Sequence, residues 1–553
     1  GGGNLHWVNL LVRFIEMLVN FLKHFKVENT EDLVGSTAGS SKEGEGQGKS
    51  SFGKAKGDTK SYTATQFTFA SKMDQINPFK LLRYMTGQSH IEGKVMGVRN
   101  RKLMKAYTVK VKANGGNGEG IDVPNMQTTP SLSVIRKVLL RLCCNRENSG
   151  PSNGSGDFRI IVSKSERTTT MTITPLDPSR LFLPLTKDCH TVVLAGGTMR
   201  PFEGIVGELF GYSSGGGSSN KDDRDSNITN SFSIARQADV AIGDWFSNSE
   251  NTISKSITYP PLAEKEKQER KQSRIRFFSS SHVIAPSNRH VTIIPSGPTS
   301  TPLTFTYKMR SLDTTITELG RTLINLMRVC GRGGVVIFFG SYEYEKLCVK
   351  KWREKPQGDK TKKSILDVMG GIKTIFREPS KSSELSAVLR RFSSQATRNE
   401  GSPGATLFAV VGGKVSEGIN FKDDVGRMVV VVGLPYPDIS DPVLKVKMKD
   451  LDSIRSSNDK SSSGNNSTSS ISSQAFYRNM CMRAVNQSVG RAIRHQNDYA
   501  SIVLIDRRYK EDRMVLAGLP GWLGVKPVDA IRKQFNFGGE ISALRDFYRS
   551  LQE

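Results

Sequence analysis

Near the C-terminal end of the chain, Gln487-Ser488-Val489-Gly490-Arg491-Ala492-Ile493-Arg494 sets one amide and two guanidinium groups at a chemically useful spacing. The pattern predicts a helix from about Ala475, on which Cys481, Val485, Val489 and Ala492 share an apolar stripe. Gln487, Arg491 and Arg494 then fall on the opposite face, at i, i+4 and i+7. Two planar forks and an amide suit a polyanion such as a triphosphate, because each fork donates parallel hydrogen bonds. Gly490 lies between them, although glycine costs a helix interior about 1 kcal/mol relative to alanine. A close approach by a ligand or another backbone would account for it. Spacing alone is met equally well by a solvated basic face on a surface helix.

A second stretch, Gly412-Gly413-Lys414-Val415-Ser416-Glu417-Gly418-Ile419-Asn420-Phe421, lies between two apolar runs, 405–411 and 428–432. A Gly/Ser/Glu loop leaving the C-terminal end of a buried parallel strand is where α/β folds place ligands. From about His282 onward, strands at 335–339, 373–376, 406–411, 429–432 and 502–505 alternate with helical patterns, including 384–392. That alternation predicts an α/β fold built on a parallel sheet. Ser341-Tyr342-Glu343-Tyr344 opens one of the helices, with Ser341 as its N-cap, and a helix N-terminus suits a phosphate.

Together the two stretches resemble motifs V and VI of superfamily 2 helicases, in the form used by the XPD-type iron–sulfur DNA helicases. Val485-Asn486-Gln487 through Arg494-His495, then Tyr499 and 501–506, carry the motif VI likeness. Further matches are 73–84, the Gly196-Gly197-Thr198-Met199-Arg200-Pro201 turn (motif III), 334–344 (motif IV), 433–438 and 506–509. The resemblance covers most of 62–110 and 158–553 apart from insertions. Most of that family carries Asp where this chain has Asn420; Glu417-Gly418-Ile419-Asn420-Phe421 is similar to the chromosome-loss branch, helicases linked to sister-chromatid cohesion.

The bulk properties agree. A formal charge of +26 and pI of 9.8 over 553 residues favour a polyanionic partner. Six cysteines without a CxxC pair fit a reduced compartment and offer no metal framework. No apolar run reaches membrane-spanning length. The Gly-Gly-Gly start without an initiator Met reads as a fragment. Residues 5–25 carry a helical stripe of Leu11, Ile15, Leu18, Leu22 and Phe25, which predicts a core-packing helix. Segments 35–57, 114–120, 145–156, 212–257 and 456–473 read as Gly/Ser/Asn-rich insertions, and 265–276 as a solvated basic linker. Gly48-Lys49-Ser50 ends like a P-loop but has Glu43 where the first Gly belongs and no strand before it. A helix is expected over 131–143, strands over 159–162 and 171–174, and a buried strand over 191–195 leading into the motif III turn. The expected division is 1–110 (arch and first-motor remnant), 111–212 (end of the first motor), 213–280 (linker) and 281–553 (a RecA-like second motor).

The resemblance implies the C-terminal half of a nuclear, ATP-dependent 5′-to-3′ DNA helicase acting on single-stranded and forked DNA, with cohesion or replication-fork proteins as partners. It implies that Arg491, Arg494 and Gln487 act on the nucleotide, that Glu417, Gly418, Asn420 and Gly490 line it, and that Thr198, Ser341, Tyr342 and Ser416 face DNA. ATP and Mg²⁺ are the expected cofactors. A 4Fe–4S cluster is expected only upstream, because the P-loop, the Asp-Glu box and the four cluster cysteines are absent from this sequence. The rival readings are a nucleic-acid-binding or cohesion scaffold without catalysis, and another branch such as the transcription-and-repair helicase subunit.

Overall fold

The computed structural model describes residues 3–26, 59–86, 131–144, 158–165, 168–179, 182, 185–186, 189–196, 199–210, 284–355, 363–397, 403–415, 421, 423–461, 472–493, 495–525 and 534–551. They form two compact units, Gly1–Asp177 with Ser440–Lys447, and Pro178–Ile439 with Met448–Glu553. No described helix is long and apolar enough to cross a membrane.

The first unit contains α1 (Gly3–Lys23), β1 (Thr59–Tyr62), α2 (Ala64–Ala70), α3 (Pro78–Thr86), α4 (Ser131–Cys144), β2 (Phe158–Lys164) and β3 (Thr169–Pro175). Its three strands pair antiparallel in the order β1-β2-β3. The expected stripe of α1 is largely buried: Leu11, Leu18 and Phe25 are core residues, joined by Phe14, while Ile15 and Leu22 are half-buried. Local signals set the helix starts. Thr63 and Gln66 exchange capping-box bonds at α2. At α3, Asn77 Oδ1 accepts from the Phe79 and Lys80 amides just before Pro78.

The second unit runs through α5 (Phe202–Phe210), β4 (Arg289–Ile294), α6 (Asp313–Val329), β5 (Gly334–Phe339), α7 (Tyr342–Arg353), α8 (Ile365–Ile372), β6 (Thr374–Arg377), α9 (Ser382–Ala396), β7 (Ala405–Val410) and β8 (Met428–Val432). After α10 (Pro442–Ser461) come α11 (Ser473–Val489), β9 (Ala500–Ile505), α12 (Arg508–Glu511), α13 (Arg513–Ala517) and α14 (Phe537–Ser550). The six strands are all parallel, in the order β4-β9-β8-β5-β7-β6. Both faces are covered, so the inner strands are continuous apolar runs. Val336, Phe338, Leu407, Val429, Val431 and Ile502 pack on one side with Phe392 of α9 and Val485 of α11. The alternate residues Val335, Ile337, Phe339, Phe408, Val430 and Val503 pack on the other, with Leu323 of α6, Trp352 of α7 and Leu544 of α14. Gly334 opens β5 where a Cβ would stand 2.1 Å from the Val425 carbonyl oxygen, so only glycine fits there. Fully buried Lys373, at the head of β6, donates to the carbonyls of Gly331, Gly333 (3.1 Å) and Pro403 (2.8 Å), and burial pushes its pKa down.

Three expectations are corrected. Residues 191–195 form no strand; Val192, Val193 and Leu194 are exposed, with Val193 at 81%, because no described strand pairs with them. Helix α11 stops at Val489, so Gly490 is its C-cap in a right-handed conformation (φ −67°, ψ −1°) and not a helix-interior glycine. Residues 456–461 belong to α10, and Ser472 caps α11 through the Ala475 amide, which shortens the expected insertion at both ends. Segments 35–57, 114–120, 145–156, 212–257 and 265–276 lie outside the described residues.

Candidate functional site

Because the strands are parallel, their ends define two edges of the sheet, and the candidate residues divide between them. At the C-terminal edge, β5 leads into Ser341, whose Oγ accepts from the Tyr344 amide at 3.1 Å and caps α7 as expected. Tyr342 donates its hydroxyl to Glu378 Oε1 at 2.5 Å. The same carboxylate accepts from the Val415 amide at 3.2 Å and, through Oε2, from the Val410 amide at 2.9 Å. Glu378 therefore ties the ends of β6 and β7 to the Ser341–Tyr342 turn and to the head of the loop after β7. Gly413 sits against this knot, since a Cβ there would lie 2.7 Å from Glu378 Oε1 and 2.9 Å from the Tyr342 hydroxyl. Burial, then the hydrogen bond and charge of Glu378, push the Tyr342 phenol up to about 12. Both hydroxyls at this turn are thus engaged inside the protein.

The other group lies at the N-terminal edge. After α11 the chain tightens: Gly490 N bonds Asn486 O (3.0 Å), then Arg491 N and Ala492 N reach three residues back to Ser488 O (3.3 Å) and Val489 O (3.2 Å). The apolar stripe is confirmed, with Cys481, Val485, Val489 and Ala492 all at 0% exposure. Gln487 is exposed and Arg491 half-buried. Two basic side chains at this edge, Arg427 and His495, have acidic partners. Arg427 bonds Asp498 (3.0 Å) and Asp424 (3.0 Å) and stacks 3.7 Å from the Tyr499 ring centroid. His495 Nε2 meets Asp423 Oδ1 at 2.8 Å and so ties the segment after α11 to the one before β8. Among the described residues no ion pair or hydrogen bond engages the Arg491 side chain. A half-buried guanidinium with no counter-charge among the described residues has its donors available for an anionic ligand.

Sequence reasoning missed what holds α11. Arg483 Nη1 bonds both carboxylate oxygens of Glu208 (2.9 and 3.0 Å). Asn486 Nδ2 donates to Arg200 O (3.2 Å) and Gly518 O (2.9 Å). Helix α5 comes so close that a Cβ on Gly204 would stand 2.9 Å from Arg483 Nη2. Residues 199–210 thereby fix the helix that delivers Gln487 and Arg491. The sequence separation of these partners leaves no local signature, whereas Glu378 was findable as a carboxylate just past a strand's C-terminal end.

Arg494, Ser416, Glu417, Gly418, Asn420 and Thr198 lie outside the described residues. Asp423, His495 and Asp498 bring ligand atoms within 4.8 Å of one another, but Arg427 already neutralises Asp498, so the trio reads as an ion-pair network and does not fit Mg²⁺. The described cysteines do not fit a cluster either: Cys330 and Cys348 lie on one face of the sheet and Cys481 on the other.

Residues 323–525 match the family model described as the helicase C-terminal domain. The chain is 32% identical over 499 residues to a Mus musculus protein named ATP-dependent DNA helicase DDX11, covering 87% of this chain and 46% of that protein. It is 31% identical over 482 residues to an Aspergillus niger protein named ATP-dependent DNA helicase chl1, covering 86% of this chain and 45% of that protein. The chain thus spans about half the length of the curated relatives it matches. A solved structure titled "XPD_Helicase" overlaps 63% of this chain and 44% of its own at 18% identity and a TM-score of 0.32, too loose to argue from.

Proposed function

From a chain that carries a helicase C-terminal domain and is related to ATP-dependent DNA helicases, we propose that it is the second motor half of a longer enzyme of that kind. Phosphoryl transfer needs little covalent chemistry from the protein; it needs positioning and charge stabilisation. In this reading Arg491, with Arg494, meets the γ-phosphate across a cleft, and Gln487 on the last turn of α11 orders that contact. Another segment of the same protein supplies the phosphate cradle and the carboxylate that holds Mg²⁺. The loop carrying Ser416, Glu417, Gly418 and Asn420 links nucleotide state to DNA, which runs past Thr198, Ser341 and Tyr342. The single observation that carries the reading is Arg491, half-buried just past α11, with no ion pair or hydrogen bond to its side chain among the described residues.

The finer reading is 5′-to-3′ movement on single-stranded or forked DNA, in the nucleus, in a cohesion-linked branch with replication-fork or cohesion proteins as partners. It is supported by the Glu417-Gly418-Ile419-Asn420-Phe421 loop, which is similar to the chromosome-loss branch. The test is DNA-stimulated ATP hydrolysis by the intact protein and unwinding of duplexes bearing one single-stranded tail. A 5′ tail should support unwinding. No ATPase with single-stranded DNA, or unwinding from 3′ tails only, overturns it.

A further inference from the structure

Between residues 284 and 525, the exposed large hydrophobic side chains among the described residues are Tyr307, Met309, Leu312, Ile439 and Met514. Every one follows the C-terminal end of β4, β8 or β9, and these strands are neighbours in the sheet. Three of them, Tyr307, Met309 and Leu312, share the one connection between β4 and α6, and exposed apolar side chains concentrated in one loop mark a contact.

Tyr307 stands out from the group, 78% exposed on a turn that is itself held firmly. Met309 N and Arg310 N both bond Thr306 O (3.2 and 2.9 Å), and Leu312 N bonds Met309 O (3.1 Å). The base of the turn is pinned by Phe305 N to Asp506 Oδ2 (3.1 Å) and by Arg507 N to Leu303 O (2.8 Å). The Arg310 guanidinium lies 5.3 Å from the Tyr307 ring centroid and 5.8 Å from that of Tyr344. Tyr344 belongs to the turn of helix that Ser341 caps, so the two loops are neighbours. Neither Lys308 nor Arg310 has an acidic partner among the described residues.

We propose that Tyr307 is a base-stacking platform for single-stranded nucleic acid crossing the C-terminal edge of the sheet, with Lys308 and Arg310 beside it for the flanking phosphates. The inference rests on the reading of that edge as the DNA-facing one and adds a residue to it. A rigidly presented ring loses little freedom when a base stacks on it, and every base offers a π-face, so the contact is indifferent to sequence. Arg310 occupies the side of the ring toward Tyr344 and adds cation–π attraction. The net charge of +26 favours nucleic acid over an average protein partner as the occupant.

The experiment titrates the whole chain into a fluorescein-labelled oligothymidylate and an abasic oligomer of equal length, read by anisotropy across a salt series. Tyr307→Ala should weaken binding of the base-bearing strand roughly 5- to 150-fold, with no change in salt slope and little effect on the abasic strand. Tyr307→Trp should bind at least as well as the native protein. Lys308→Ala should weaken both strands and reduce the salt slope by about one. If the native chain binds and Tyr307→Ala binds both strands within twofold of it, the stacking role is overturned while the DNA reading stands, and the patch belongs to a protein. If the native chain binds neither strand, both fail together. Circular dichroism melts of the variants should coincide with the native melt, because the ring is exposed.

Discussion

Replacing Arg491 with alanine in the intact protein separates the two meanings of a cation beside α11. Its side chain is half-buried and has no partner among the described residues, so its removal breaks none of the described side-chain bonds. An exposed or half-exposed charge of this kind is worth at most about 1 kcal/mol to stability. An arginine that meets the transferring phosphate is worth roughly 10³ to 10⁵ in rate, which is about 4 to 7 kcal/mol of barrier at 1.36 kcal/mol per tenfold. Arg491→Ala should therefore leave the melting temperature and single-stranded DNA affinity near native values while nearly abolishing DNA-stimulated ATPase and unwinding. Arg491→Lys should rescue poorly, since a point charge cannot reproduce the bidentate fork. Phosphate release within a few-fold of native in the alanine variant would refute the assignment and leave Arg491 a surface residue. Arg494→Ala, on the strength of the motif VI resemblance, should also nearly abolish DNA-stimulated ATPase.

Further outcomes follow from other parts of the molecule. The 553-residue chain alone should release phosphate only at background with Mg²⁺ and single-stranded DNA, and turnover on the order of 1 s⁻¹ would sink the split-site reading. Glu208→Gln should lower ATPase of the intact protein by loosening α11, and a double-mutant cycle with Arg483→Met should show coupling; additive effects would mean that the pair does not position Arg491. Lys373→Met should destabilise the chain by on the order of 3 kcal/mol in urea melts, because three carbonyls lose their donor. The Tyr342 phenol is raised from 10.0 to about 12, so the stability it lends is fully present below pH 10 and fades as pH climbs toward 12. Tyr342→Phe should remove that part of the alkaline loss, as seen by melting across pH.

The parallel sheet was legible because strands buried on both faces are written as unbroken apolar runs; Met428–Val432 allows no other reading between two loops. The Ser341 cap was legible for the same local reason. Gly490 misled because its spacing fits a helix interior as well as a C-cap, and only the turn that follows decides between them. Residues 191–195 misled more deeply: an apolar run states a preference for burial, but a strand exists only when a neighbouring edge is there to bond it. Arg427 and Arg483 were invisible as isolated charges, because each acquires its meaning from a partner that the fold brings from far along the chain.

The separation of the two edges has a mechanical corollary. Six-residue strands such as β5 and β9 put about 20 Å between Arg491's end of the sheet and the Glu378 knot. The side chains filling that span are fully buried and interlocked on both faces, and such interiors compress very little. A push at one end is thus delivered to the other as a tilt of the whole block, with almost none lost to internal give. Softening the block, for instance by Val430→Ala, should leave grip on nucleotide and on strand intact yet lower the distance moved per molecule of fuel consumed.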